Sequence, residues 1–308
     1  MSTKTISARG VNPILPTPFT DTGALDIPSL QRLIDYQKGI GVNGVAILGF
    51  MGENDKMSNA ERRTVIETVV KQAAGEIDVW VGVRDLGTMG ALEQAQTAES
   101  LGANAVFVAP INIQNDDALY HHFKTVSDGL TIPVMIHDFP TSFVVQLSPE
   151  LIVRLGRDGV CPYIKLEDLP AGPKLTKVRE LSNDTIGIFG GLGGIYFMEE
   201  LERGALGIMT GFSFSEVLVR IFDLYDSGQH EAATRSFDHY ASLIRYEFQP
   251  KIGLAYRKHV YHQRGVFASP FVRQPVGMTL DATTAREFSR IVARCGLSLD
   301  GSQPQTLV

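Results

Sequence analysis

Cysteine is scarce in this chain. Among 308 residues there are two, Cys161 and Cys295, far apart and without CxxC spacing. That excludes a disulfide framework and a cysteine-built zinc site, and it suits a reducing compartment. Blocks of lysine and arginine are absent, and the net charge of -6 is spread along the chain. A surface for nucleic-acid backbone is therefore not expected. No apolar run approaches the roughly 18 residues of a membrane span. The opening stretch MSTKTISARGVNPIL has no apolar core of the kind that marks a secretion signal. The late FGGLGG does not match the GxGxxG fingerprint and no GxxxxGK[ST] occurs, so no nucleotide cofactor is indicated. No Gly- or Pro-rich linker divides the chain. The expectation is a cytoplasmic protein without membrane or nucleic-acid partners.

What is present is an alternation. Runs rich in Val, Ile and Phe, bounded by Gly, Pro or Asn, read as strands at 12–19, 44–49, 78–83, 105–110, 133–139, 162–167, 186–191 and 206–211. Between them lie segments with apolar residues three and four apart, such as Leu30, Leu33 and Ile34, or Val65, Ile66, Val69 and Val70. Ser58 with Glu61 has capping-box spacing, and Ser148 precedes a proline suited to the first position of a helix. Eight strands alternating with helices predict an α/β fold, a (β/α)8 TIM barrel. Helical segments near 215–226, 230–247, 251–264 and 283–294 follow the last strand. The first closes the barrel, which puts a barrel at 1–226 and a C-terminal extension of about three helices at 227–308.

In such barrels chemistry sits at the C-terminal ends of the strands. In the segment CPYIKLEDLP, Lys165 stands in a run that otherwise reads as buried. Alternate strand residues share a face, so Tyr163, Lys165 and Glu167 point into the barrel and Ile164 and Leu166 towards the helices. Apolar walls disfavour an ammonium and leave free amine able to attack a carbonyl carbon. The spacing alone leaves two readings: a Schiff-base lysine, or a lysine paired with Glu167 at the barrel mouth. His137, in MIHDFPTS, is the one histidine of seven at a predicted strand end, where an imidazole with a pKa near 6.5 can carry a proton. His121, His122, His230 and His239 fall in helical segments and read as surface residues. His259 and His262 are three apart on one helix but have no further ligand beside them, so no metal site is expected. The turn LGFMGEN exposes backbone N–H groups that suit a carboxylate, with Glu53 read as a brace for the loop. The glycines of FGGLGG permit close backbone approach to a small substrate.

PILPTPF, GFMGE, HDFP, YIK and the late GG with GIMTG, in that order over roughly residues 10–295, resemble the dihydrodipicolinate synthase and N-acetylneuraminate lyase superfamily of class I aldolases. The resemblance implies a homotetramer, no cofactor, and Schiff-base chemistry at Lys165 on pyruvate or another 2-oxo acid. It places the amides of Phe50 and Met51 on the substrate carboxylate, and Gly191 and the Ile208 carbonyl on the opposite wall. Four departures stand out: Phe50 and Met51 replace the usual threonines, His137 the usual tyrosine, and Ser142 the arginine of a true dihydrodipicolinate synthase, while VAPINI lacks the tyrosine after strand four.

HDFP with IKLEDLPAGPKL looks more like the sugar-acid branch, of the 2-keto-3-deoxyarabonate dehydratase type. The expected reaction is loss of water from a 2-keto-3-deoxy sugar acid, with Lys165, His137 and Glu167 catalytic and Phe50, Met51, Ser142, Gly191 and Ile208 around the substrate. Retro-aldol cleavage to pyruvate and an aldehyde, and non-catalytic binding of a 2-oxo acid, are the alternatives.

Overall fold

The computed structural model describes residues 8–301 and residue 308. Eight parallel strands run β1 Gly10–Val11, β2 Gly44–Ile47, β3 Asp78–Val83, β4 Ala105–Val108, β5 Val134–Asp138, β6 Tyr163–Leu166, β7 Gly187–Gly190 and β8 Gly207–Ile208. Their order is β1-β8-β7-β6-β5-β4-β3-β2, and a bridge between Ile14 and Ala46 brings the chain after β1 onto β2. This is a (β/α)8 barrel with C-terminal helices.

Strand one is shorter than its apolar composition suggests. Pro13, Pro16 and Pro18 carry no N–H to donate to a ladder, so regular pairing stops at Val11 and is continued by the Ile14–Ala46 bridge and by Ile14 N–H to the Thr210 carbonyl at 2.9 Å. The last strand also shrinks, to Gly207–Ile208, with isolated bonds such as Met209 N–H to the Gly190 carbonyl at 3.0 Å carrying contact further.

The helices are α1 Ile27–Ile40, α2 Asn59–Ala73, α3 Thr88–Ser100, α4 Asp116–Asp128, α5 Pro140–Phe143, α6 Pro149–Arg157, α7 Ala171–Ser182, α8 Phe197–Glu202 and α9 Ser215–Asp226. Beyond these come α10 His230–Glu247, α11 Gly253–Gln263 and α12 Ala282–Arg294. The expected caps are formed. Ser58 accepts from Glu61 N–H while the Glu61 carboxylate accepts from Ser58 N–H at 2.9 Å, and Ser148 accepts from Leu151 N–H at 3.1 Å. Among the described residues no helix is long and apolar enough to cross a membrane.

Most of the core lies between strands and surrounding helices. A second apolar cluster joins Val11 and Ile208 to Phe214, Leu243, Tyr256 and Phe288, which seats the C-terminal helices against the β1–β8 side. Inside the barrel, Trp80 packs edge-on to Tyr163 and Phe189 with ring centroids 6.0 Å apart, closing the lower half. The same inward faces then carry His137 and Lys165 one layer above.

One histidine departs from expectation. His122 is buried, with Nδ1 3.0 Å from the Thr88 hydroxyl and Nε2 3.1 Å from the Ala109 carbonyl. Burial lowers its pKa, and both ring nitrogens are taken up in holding α4 to its neighbours. It lies on the apolar face with Leu119, Phe123 and Val126, which outweighs its polarity in setting the direction it faces.

Candidate active site

Strands β5 and β6 pair in register, with His137 opposite Lys165. Both side chains point inward, and Lys165 Nζ lies 3.2 Å from His137 Nε2. Glu167 follows on the same face just past the end of β6, where its N–H bonds the Asp138 carbonyl at 2.8 Å. One carboxylate oxygen touches Lys165 Nζ and lies 3.1 Å from His137 Nε2. The other accepts the Leu192 N–H at 2.8 Å. Lysine, imidazole and carboxylate therefore meet at one point, and Lys165 is only 1% exposed.

Burial sets the electrostatics. It drives the Lys165 amine well below its ordinary value, with the carboxyl of Glu200 opposing the shift. It likewise drives His137 well below 6.5, helped by the charges of Lys165 and Arg84. The imidazole is thus neutral across physiological pH, unlike the half-charged group its ordinary pKa suggests. Phe107 and Phe143 sit edge-on to it, with centroids at 5.5 and 5.0 Å, which accounts for its desolvation.

Asp138 points the opposite way, as strand alternation requires. It pairs with Lys174 at 2.7 Å, and Lys174 also holds Asp168 at 2.8 Å, tying the ends of β5 and β6 to α7.

The loop after β2 folds into two short turns, Phe50–Gly52 and Asn54–Lys56. The amides of Phe50 and Met51 open the first turn and donate no hydrogen bond within the described residues, as at any helical start. The Phe50 ring lies 6.1 Å from that of His137. Met51 turns its sulfur to the Arg257 guanidinium, itself paired with Glu247 at 3.2 Å. Glu53 has a fully buried side chain that contacts Lys258, pairs with Lys56 at 2.9 Å and accepts Arg273 N–H at 3.0 Å. These partners make it the loop's anchor to the C-terminal segment.

The remaining expected residues are placed less uniformly. Gly191 lies against Glu167, and any Cβ there would run into that carboxylate. Ile208 turns its side chain outward into the helical core, and its carbonyl accepts the Asn12 N–H at 2.9 Å in the ladder. Ser142 is half-buried on α5, outside the lysine–histidine–glutamate contact.

Two charged residues escaped the sequence reading. Arg84, directly after β3, stacks its guanidinium 4.9 Å from the Phe50 centroid and 5.6 Å from that of Phe143. Its place at a strand's C-terminal end was the available signal. Glu200 on α8 is 1% exposed, and neither carboxyl oxygen has a hydrogen-bond partner of normal geometry among the described residues. Its signal was position three beyond Phe197 on a helix whose apolar side faces inward. Burial raises its carboxyl to about 8.

A pocket of about 180 Å³ opens beside His137, lined also by Phe50, Arg84, Phe107 and Phe143 among others. That is below the roughly 300–1,000 Å³ of sites for drug-sized ligands, so it suits a small molecule. Among the described residues no group of His, Cys, Asp and Glu is arranged to hold a metal ion.

Residues 7–294 match the dihydrodipicolinate synthetase family. The chain is 30% identical to an L-2-keto-3-deoxyarabonate dehydratase of Azospirillum brasilense over 282 residues, 89% of this chain and 91% of that protein. It is 38% identical to a 4-hydroxy-tetrahydrodipicolinate synthase of Nitrobacter hamburgensis over 157 residues, 50% of this chain and 52% of that one. Among solved structures, the dihydrodipicolinate synthase of Rhodopseudomonas palustris superposes with a TM-score of 0.89 at 33% identity, covering 95% of this chain and all of that one, 100%.

Proposed function

The chain belongs to the dihydrodipicolinate synthetase family and is a lyase, and from that premise we propose that it removes water from a 2-keto-3-deoxy sugar acid, of the arabonate type, through a Schiff base on Lys165. The observation that carries this reading is the shared contact of Lys165, His137 and Glu167. A desolvated amine is free to attack the C2 ketone, and the oxygen of the resulting carbinolamine leaves as water. The iminium then acidifies C3. Glu167, in contact with Nζ, is placed beside C3 and takes its proton, leaving an enamine. The C4 hydroxyl departs as water with a proton from the imidazole side, and His137 is made good from Glu167, 3.1 Å away. Water hydrolyses the remaining imine and frees the lysine.

The amides of Phe50 and Met51 receive the substrate carboxylate, with Gly191 leaving room for Glu167 on the facing wall. Ser142 offers a hydroxyl where a second carboxylate would need a cation, which speaks against dihydrodipicolinate chemistry. The relative named as an arabonate-type dehydratase, matched over most of both chains, supports the same substrate class. We further propose a cytoplasmic homotetramer that works without a cofactor, a reading that rests on family likeness.

Incubation with 2-keto-3-deoxypentonate followed by product analysis tests the reading. One dehydrated acid is expected. Pyruvate with an aldehyde would assign retro-aldol cleavage on the same lysine, and an unreacted but bound acid would assign a non-catalytic binding protein.

A further inference from the structure

We propose that Arg84 and Asp55 together form the subsite for the far end of the substrate, and that this pair selects 2-oxo acids ending in a hydroxymethyl group over those ending in a second carboxylate. The inference rests on the Schiff-base reading above, which fixes C2 at Lys165.

The line of the site follows from the side chains. His137 lies 3.2 Å from Lys165 Nζ, and Arg84 stands beyond it in the wall of the same pocket. The Arg84 charge is close enough to help depress the imidazole's pKa. Beside it the wall carries the apolar Leu48, Val83, Phe107 and Ala109, together with Asn54 and the Lys56–Glu53 ion pair. A guanidinium in such a wall needs orientation, and Phe50 and Phe143 supply it by offering their ring faces.

The hydrogen bonds of Arg84 are only partly used. Nη1 donates to one oxygen of Asp55 at 2.6 Å. Nε, Nη2 and the second oxygen of Asp55 have no partner among the described residues. The Asp55 side chain is 60% exposed, so the pair stands at the mouth, where a substrate tail would emerge. It presents donors beside an acceptor, with its charges largely cancelled. A hydroxyl both donates and accepts, and so satisfies both halves. A carboxylate only accepts: it gains the guanidinium but meets the like charge of Asp55, and that repulsion is the discriminating element.

The test compares kcat/KM, measured as substrate consumption, for three acids: 2-keto-3-deoxypentonate, 4-hydroxy-2-oxobutanoate, which lacks the tail, and 4-hydroxy-2-oxoglutarate, which ends in a carboxylate. The wild type is expected to prefer the pentonate. Arg84→Met should reduce its preference over the tail-less acid by roughly ten- to a hundredfold, the size expected for a lost bond to a charged donor. Arg84→Lys, which keeps the charge and loses the fork, should recover little of it. Asp55→Asn should raise consumption of the diacid relative to the pentonate. Equal losses on all three acids in Arg84→Met, or an unchanged diacid ratio in Asp55→Asn, overturns the proposal. Borohydride trapping with pyruvate runs alongside: no Lys165 adduct in the wild type fails the Schiff-base reading itself, whereas an adduct with unchanged ratios fails only the subsite.

Discussion

Lys165 and His137 are register partners on neighbouring parallel strands, and their reactive nitrogens lie 3.2 Å apart with both side chains buried. Because the strands fix both Cα positions, this distance belongs to the sheet rather than to a mobile loop. Burial holds both groups well below their ordinary pKa values, and the imidazole carries no stable positive charge at neutral pH.

Lys165→Met is therefore expected to remove the borohydride-trapped adduct and all turnover without unfolding the barrel. The folded-state pKa of Lys165 lies below its unfolded value, so burying this group disfavours folding at neutral pH. An apolar side chain of similar length removes that cost, and the melting temperature should match or exceed the wild type's. Mass spectrometry and a thermal melt check the two halves; a Met variant that still forms the adduct would move the Schiff base to another lysine.

Much of this site could be read from the chain alone, for reasons that also explain what could not. Lys165 and Glu167 share a face because strand residues alternate, and the register with β5 brought His137 to them. Strand one misled, because its apolar residues sit among prolines that cannot pair. Glu199 and Glu200 are neighbours of one type in FMEEL, yet one is exposed and the other buried. Composition does not separate them; only the packing of α8 against the end of β7 does. Arg84 earned no notice because its meaning depends on two aromatic rings from other loops, Phe50 and Phe143.

Neutral His137 has a consequence for the pH profile. With its pKa well below 6.5, no acid limb due to this imidazole should appear between pH 6 and 7 in kcat/KM. His137→Asn should lower kcat by about 10²–10⁴-fold, the usual range for a lost proton carrier, while pyruvate still forms the trapped adduct. A limb near pH 6.5 that vanishes in the variant would show the histidine titrating normally and the site open to water.

Glu167 as the base at C3 can be separated from His137 by isotope exchange. In D2O the wild type should replace the methyl hydrogens of pyruvate with deuterium, since each enamine returns to the iminium by taking a solvent deuteron. Glu167→Gln keeps the shape and the contact with Leu192 N–H but cannot accept a proton, so exchange should fall by about 10²–10⁴-fold with the adduct retained. Proton NMR of the methyl signal reads this directly. Exchange that survives in Glu167→Gln and disappears in His137→Asn would reverse the two roles.

Glu200 offers a test that needs no substrate. Its carboxyl lies against Gly190, where any Cβ would collide with it, and burial raises its pKa from 4.5 to about 8. The charged groups acting on it are Lys165, which opposes the rise, and Glu199, which adds to it. A raised folded-state value means that the native protein holds a proton the unfolded chain releases. The resulting stability is complete below pH 4.5 and is lost as pH rises towards 8. Glu200→Gln does not titrate. Its unfolding free energy should gain on the wild type's between pH 5 and pH 8, by something on the order of 4 kcal/mol. Denaturant titrations of both proteins at the two pH values measure the difference, and contributions from Asp138 and Glu247, common to both, cancel. A constant difference between the proteins across that interval would mean that Glu200 is ionised throughout, with a counter-charge or water beside it. Lys165 would then face a permanent anion behind the Gly190–Gly191 turn, and its amine would hold its proton more firmly than burial alone allows.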